Sequence, residues 1–586
     1  SDSILSNFRS SSSRSSSTSY SYNTQNGEEE LLMLALPHHK QVLPSNMILE
    51  DFDVMYHCIK GEMIPVVGVT WSYDELLTDT KFDPPGITET LSSMNDDIKG
   101  TIIEQVALDL DRVLPSFTEN VYGAGKQIAR LANLAKIVGD FKDMAQKNND
   151  ILGKNETQNH ENTIELLFSK ATSLLYKYLS AFLDGGNTDK LVYDSNFGGI
   201  ITQNGLLNMQ EDFGNGWYND HHFHYGYILY SSAIMAKLNS SFVSEFGSHV
   251  DSLLYDVAHI TNQDSSFMDG AFFPFARHKS WYDGHSFASG LFPFADGKSQ
   301  ESSSEAINCY YGAYLWSLER WGESNNDAFD KTNFMRLLLA MEIRSTKAYW
   351  HMVPPKEAKN VSAVHSMPIY GPEFEKTMMV GNVGMTDVTI ATWFGTESLY
   401  VHMINFLPLT AITRELFDPN YVKLEFENVL DSLYDNVEMA WRGYVIADKA
   451  ILDPNAAWRD ATKLRSFELD SALSKSQVYY WISTMDGFIP PAPQGTAQDN
   501  SSNSSQLSPF CELNQGCLII GLEGECCPTP EGSMLGCCNQ HLSQPSTPET
   551  TSDESSSCES NKICFVGGLT GKCCPTPDGI MLGCCN

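Results

Sequence analysis

Cysteine is almost missing from the first 510 residues, which hold only Cys58 and Cys309. That stretch cannot be a disulfide scaffold, so its stability must come from a packed core. Basic residues are scarce too: 38 Lys+Arg stand against 73 Asp+Glu, a formal charge of −35. Phosphate binding needs clustered Lys and Arg, so nucleic acid is excluded as the main partner. No uncharged apolar run is long enough to span a membrane, and no basic-plus-apolar signal peptide opens the chain, whose start reads as a mature or truncated end. What the chain does have is 42% hydrophobic and 11% aromatic residues over 586 positions, enough for a core and for several structural units.

The missing cysteines are at the far end, where 12 of the 14 lie between Cys511 and Cys585. Residues 511–538 and 558–586 repeat one spacing, C-x5-C-x8-CC-x9-CC, down to CCPTPEGSMLGCC and CCPTPDGIMLGCC. Segments this short bury little apolar area, so three disulfides per module are expected, with connectivity open. Zinc ribbons favour CxxC pairs and His, whereas adjacent CC pairs suit a disulfide scaffold. An oxidising compartment follows, and Asn-x-Ser/Thr sites at Asn155, Asn239, Asn360, Asn500 and Asn503 are compatible with secretion.

Composition shifts divide the rest. Residues 1–30 carry 12 Ser in the first 21 positions and are expected to be disordered. LLMLALP at 31–37 and PVVGVTW at 65–71 read as strands. From about residue 100 the period becomes helical. In TIELLFSKATSLLYKYLSAFLD, Ile164, Leu167, Ala171, Leu174, Leu175, Tyr178 and Phe182 recur at three- and four-residue steps. The same period marks segments at 225–238, 305–321, 334–343 and 436–452. A large helical domain ends near 490; 488–510 and 539–557 are Pro/Ser-rich linkers.

Two segments carry the chemistry. DFGNGWYNDHHFHYGY, residues 212–227, packs Asp, His and aromatic residues immediately before a helix, a mixture suited to a sugar ring whose C–H face stacks and whose hydroxyls hydrogen-bond. His221-His222-x-His224 has the look of a zinc ligand set, but no second ligand cluster and no HExxH pattern accompanies it, which favours histidines hydrogen-bonding around a polar cleft. The second segment, 272–312, ends in QESSSEA. There Glu301 and Glu305 would share one helix face about 5–6 Å apart if Glu301 has entered the helix. Like charges in one cleft raise at least one pKa. Paired carboxylates beside aromatic platforms fit glycoside hydrolysis, with Asp220, Glu301 and Glu305 as candidates. The competing assignment is a solvated charge or a helix cap.

These motifs resemble glycoside hydrolase family 81, the endo-acting β-1,3-glucanases, over most of residues 60–490. The resemblance rests on YNDHHFHYGY at 218–227, GHSFASGLF at 284–292, DGKSQESSSEA at 296–306, YWH at 349–351 and ATWFG at 391–395. It implies a mainly α fold: an (α/α)6 toroid at 111–487, a small mixed α/β domain at 61–110 and the last strands of a β-sandwich at 31–60. It also implies an inverting mechanism with Asp220 as general acid, Glu301 as the base activating water and Glu305 as an assisting carboxylate. His222, His224, Tyr225, His285, Lys298 and Trp393 fall at positions expected to contact glucosyl units. No metal or organic cofactor is required, and the partner is β-1,3-glucan, bound by a secreted monomer. Phe287 and Phe197 stand where the family pattern has Trp. The alternative is a non-catalytic glucan-binding wall protein.

Overall fold

A computed structural model describes residues 16–21, 32–49, 56–68, 70–112, 114–116, 120–152, 158–260, 272–294, 297–323, 326–357, 369–437 and 439–491. Both cysteine modules, residues 492–510 and 539–557 of their linkers, and four of the five glycosylation acceptors lie outside the described residues; Asn239 lies within them.

The N-terminal part is built from β1 (Ser16–Ser21), β2 (Leu32–Ala35), β3 (Tyr56–Cys58), β4 (Gly61–Val67) and β5 (Thr70–Glu75). β1 pairs antiparallel with β5, Ser16 opposite Glu75, which corrects the expectation of disorder throughout 1–30: a backbone ladder needs no large side chains once a partner strand is supplied. The other three form an antiparallel sheet in the order β2-β4-β3. Because β3 pairs with β4, residues on either side of position 60 share one sheet, so the expected division between sandwich strands and a mixed domain cuts through a hairpin. Ala35, Leu43, Val66 and Tyr73 close a small core there.

The helical part opens with α1 (Pro37–Lys40), inside the strand region, then α2 (Ile87–Ser93), α3 (Asp96–Leu110), α4 (Val121–Leu152) and α5 (Gln158–Leu183). The hairpin β6 (Leu191–Asp194) and β7 (Gly199–Thr202) leads through α6 (Gln203–Leu207) to α7 (His221–Leu238) and α8 (Ser241–Ala258). Next come β8 (Ser299–Gln300), α9 (Ser303–Arg320) and α10 (Asn326–Tyr349). The remainder comprises α11 (Pro372–Thr377), β9 (Asn382–Gly384), β10 (Val388–Thr389), α12 (Ser398–Ile404), α13 (Thr413–Leu416), α14 (Pro419–Asn428), α15 (Arg442–Lys449), α16 (Pro454–Ala461) and α17 (Lys475–Ser483).

Local chemistry explains many helix starts. Asp418 accepts from the backbone N–H of Asn420 and Tyr421, with Pro419 in the first turn, and Asp453 before Pro454 accepts from Ala456. The expected apolar face of α5 is buried at Ile164, Leu167, Ala171, Leu175, Tyr178 and Phe182. At 436–452 the continuous helix expected from periodicity is broken: Met439 has a left-handed φ of 47°, and only Arg442–Lys449 is α-helical.

At the centre, α7 is buried on every side from His221 to Ala236, packed on α9 and α4. A Cβ on Gly226 would lie 2.9 Å from the Cys309 Cα, so the α7–α9 approach requires glycine. The N-terminal ends of these two helices deliver the candidate acid and assisting carboxylate. The N-terminal sheet also supports them: Lys60, in the β3–β4 turn, pairs with Asp283 just before the GHSF motif.

Candidate active site

Asp220 occupies the N-cap position of α7 but does not cap it. Its φ is 59°, and its side chain makes no cap hydrogen bond, unlike Asp418 and Asp453. The backbone approach is left-handed at Asp212, Phe213, Gly214, Tyr218 and Asp220, with φ between 46° and 82°. Non-glycine residues pay steric energy for this conformation, and such strain gathers at functional sites.

The GHSFASGLF segment joins the two carboxylate loops. Asp220 N–H donates to the Ala288 carbonyl (2.9 Å), and Ala288 N–H donates to the Ser299 carbonyl (2.7 Å), one residue before Gln300 and two before Glu301. A Cβ on Gly290 would fall 2.1 Å from the Trp217 carbonyl oxygen, so this bridge also requires glycine. The serines of QESSSEA anchor the start of α9. Ser302 Oγ donates to the Ile404 carbonyl (2.7 Å), and Ser303 N–H and Oγ both donate to Asn405 Oδ1 (3.0 and 2.8 Å).

Helix α9 begins at Ser303, so Glu301 stands in the preceding loop; the shared helix face expected for Glu301 and Glu305 is not formed. The two carboxylates still face one another electrostatically. Burial, opposed by bonds from the Trp393 N–H (2.6 Å) and the Thr392 hydroxyl and reinforced by the charge of Glu305, pushes the Glu301 carboxyl up to about 7. Burial first, then Glu301, Glu305 and Asp212 in turn, holds the Asp220 carboxyl well above the usual carboxylate range. Glu305 is buried, and its carboxyl is raised by burial against the pull of Lys126 and of tyrosine hydroxyls: Tyr227 (2.7 Å) and Tyr122 (2.9 Å) donate to its Oε1. Asp220 and Glu301 remain partly exposed. Glu301 lines a recess of ≈ 400 Å³ with Asn382, Thr389, Ala391, Thr392 and Trp393.

Of the six expected sugar contacts, Trp393 is 76% exposed, its ring 5.8 Å from that of Phe294. Lys298 is exposed beside a cleft of ≈ 530 Å³ lined also by Arg277, Phe287 and Met385, and partial burial followed by the Arg277 charge lowers its ammonium pKa. The other four are buried and bonded within the protein. Tyr225 OH donates to the Ile200 carbonyl (2.7 Å) and meets Asn215. His285 Nε2 meets Lys60 Nζ at 2.7 Å, and its Nδ1 meets the Ser286 carbonyl oxygen. His222 bonds Gln300 (3.2 Å) and stacks on His278. His224 faces Asp212 at 3.6 Å. Burial lowers His222 and His285 to about 3 and His224 well below its ordinary value, so all three are neutral at pH 7. They pack against the loops that carry Asp220 and Glu301. His221 spends both ring nitrogens, on Asp256 (2.5 Å) and on the Asn215 carbonyl (2.8 Å), so it has none to offer a metal.

Residues 90–482 match the glycosyl hydrolase family 81 C-terminal domain, and residues 4–85 match that family's N-terminal domain. The chain belongs to glycosyl hydrolase family 81. Its relatives in the family include glucan endo-1,3-beta-D-glucosidase 2 of Saccharomyces cerevisiae, 28% identical over 448 residues (73% of this chain and 51% of that protein). Glucan endo-1,3-beta-D-glucosidase of Glycine max is 29% identical, covering 77% of this chain and 62% of its own length. The chain spans about half the length of the curated relatives it matches. A solved family 81 glycoside hydrolase from Clostridium thermocellum superposes with a TM-score of 0.57 at 22% identity, covering 80% of this chain and 58% of that one. The shared fold is the mainly α toroid. The match to residues 4–85 places a family N-terminal domain where a shortened sandwich remnant was expected.

Proposed function

We propose that this chain is an endo-β-1,3-glucanase hydrolysing internal β-1,3-glucosidic bonds of laminarin-like or cell-wall β-glucan. The observation that carries the reading is the asymmetric carboxylate set: Asp220 is freed from capping, its carboxyl raised by burial and by Glu301 and Glu305, while Glu301 is bonded by the Trp393 N–H at a recess open to solvent. The names of the relatives support the substrate class. In the inverting mechanism, Asp220 gives its proton to the departing glycosidic oxygen and Glu301 takes one from the attacking water. Glu305, fixed by Tyr122 and Tyr227, orients that water or tunes Glu301 electrostatically. The Trp393 indole stacks on a pyranose face, and Lys298 bonds hydroxyls.

The enzyme acts outside the cell or in the wall. Sequons and paired-cysteine repeats support this reading, and no helix among the described residues is long and apolar enough to cross a membrane. The cysteine modules act as appended anchoring or glucan-binding units. Reducing ends released from a β-1,3-glucan by the wild type and by Asp220→Asn test the assignment: the wild type releases them and the variant falls toward background. Equal, background-level release by both would instead fit a glucan-binding wall protein. NMR of the first-formed anomer tests Glu301, since a retained anomer removes its role as base.

A further inference from the structure

One lysine of the N-terminal sheet is buried beside the catalytic loops. Lys60 sits in the two-residue turn between β3 and β4, where Cys58 pairs with Gly61 and Gly61 closes the turn at a φ of 100°. A turn this short has no slack, so the side chain leaves the sheet from a fixed point. It is only 4% exposed. Its Nζ donates to Asp283 Oδ1 (2.5 Å) and lies 2.7 Å from His285 Nε2. His285 Nδ1–H donates to the Ser286 carbonyl (2.9 Å), so Nε2 keeps its lone pair and accepts from Lys60. The Tyr349 and Phe287 rings, 5.2 and 5.7 Å from Nζ, close the cage.

Holding two layers together does not call for this arrangement. A buried ion pair recovers little more than it loses in desolvation, and apolar residues of the same volume pack as well. What an ammonium adds is direction, and here it is aimed at the loop that bridges the carboxylates. Residues 280–285 form a closed turn: Gly284 N–H donates to the Ser280 carbonyl (2.9 Å), Ser280 N–H to the His285 carbonyl (3.0 Å) and Ser280 Oγ to Asp283 Oδ2 (2.6 Å). A Cβ on Gly284 would fall 2.4 Å from Ser345 Oγ of α10 and 2.7 Å from His38 Nε2 of α1, so the turn is wedged between the helical and N-terminal parts. Shortly after His285 comes Ala288, whose carbonyl holds the Asp220 N–H and whose own N–H reaches Ser299. Asp283 and Phe287 themselves line the cleft beside Lys298.

We propose that Lys60 is a positioning residue for hydrolysis: through Asp283 and His285 it fixes the 283–288 segment, and with it the placement of Asp220 relative to Glu301, which makes the N-terminal sheet a working part of the catalytic cleft. Its role rests on the acid and base assignments of those two carboxylates. A displacement of about 1 Å at such a site can cost about a hundredfold in rate.

Lys60→Met keeps the stem and removes the ammonium. Assayed on laminarin at a temperature where its circular dichroism matches the wild type, it is expected to show kcat lower by at least about tenfold with KM within about threefold. Unchanged kcat overturns the proposal, as does a rise in KM alone. Because this variant strands the Asp283 carboxylate, Lys60→Met combined with Asp283→Asn is measured too; it removes the unpaired charge, and so regains stability lost to it, without restoring the direction. A kcat as low as that of the single variant is expected, and a return to wild-type kcat overturns the proposal. Asp220→Asn run alongside keeps the two assignments apart. Wild-type kcat there removes the acid and the role of Lys60 with it, whereas an inactive Asp220→Asn beside an unimpaired Lys60→Met removes the role of Lys60 alone.

Discussion

Two clusters of buried acids in this chain are electrostatically alike and chemically different. In the cleft, burial raises Asp220, Glu301 and Glu305, and carboxylate repulsion adds to it at Asp220 and Glu301. Elsewhere in the helical part, burial alone pushes Glu425 of α14 well above its ordinary value, and burial with the charge of Glu425 does the same to Asp448 of α15. Glu425 is joined to His402, whose other nitrogen meets the Thr377 carbonyl oxygen (2.8 Å). The difference is access. Glu425, Asp448 and His402 are wholly enclosed, whereas Asp220 and Glu301 are partly open and Glu301 faces a recess beside an exposed indole. A raised carboxyl marks a reaction site only where a substrate can reach it.

The sharpest way to break the comparison is to neutralise one acid of each cluster. Asp220→Asn is expected to lower kcat on laminarin by about 10²–10⁴-fold, the usual contribution of a positioned acid, while Asp448→Asn leaves it within about twofold. Comparable losses in both variants would show that access is not what separates the clusters. Next in size is pH dependence. Glu301 must be ionised to act as a base, so with its carboxyl at about 7, kcat/KM should fall about tenfold per pH unit below that value. An acid limb near pH 4 would contradict the burial of Glu301. Tyr227→Phe removes a donor that favours ionised Glu305; a bond of about 1.5 kcal/mol corresponds to roughly a tenfold lower kcat, and with less negative charge on Glu305 to raise Glu301 the acid limb should move to lower pH. An unmoved limb would reduce Tyr227 to a packing role.

The smallest effect falls on stability. Asp448 is raised in the folded state, so the folded protein holds a proton that the unfolded chain loses near pH 4. Its contribution is complete below that pH and is lost as pH rises toward the folded pKa, at about 1.4 kcal/mol per pH unit. Chemical denaturation from pH 5 to 8 should therefore show a shallower decline for Asp448→Asn than for the wild type. Parallel slopes would mean that Asp448 is ionised in the fold.

Much of this was legible in the chain itself. The apolar steps of α5 named its buried face, and the NDHHFHYG and QESSSEA motifs named the three carboxylates. What the motifs could not give was orientation. α7 is buried all round, so a run of His and Tyr along it supplies internal partners for neighbouring loops as readily as it supplies cleft contacts; His222, His224 and Tyr225 therefore point inward. Tyr227 was in view at the end of its motif, but its bond to Glu305 depends on α7 lying against α9. Tyr122 had no signal at all: VYGAGK reads as an ordinary helix start, and only the packing of α4 on α7 brings its hydroxyl to Glu305. Whether Glu301 shares a helix face with Glu305 stayed conditional because the i,i+4 spacing says nothing about where the helix begins; it begins at Ser303.

The left-handed backbone between Asp212 and Asp220 bears on how the enzyme wears out. Those residues would relax to ordinary conformations if their surroundings let go, and they are held by contacts such as the single bond from Asp220 N–H to Ala288. The long helices of the toroid rest instead on a large apolar core. Inactivation on warming should begin at this loop, so an ageing preparation would keep its helical circular dichroism after its hydrolytic activity has gone, and cooling would restore the activity as long as the core had held.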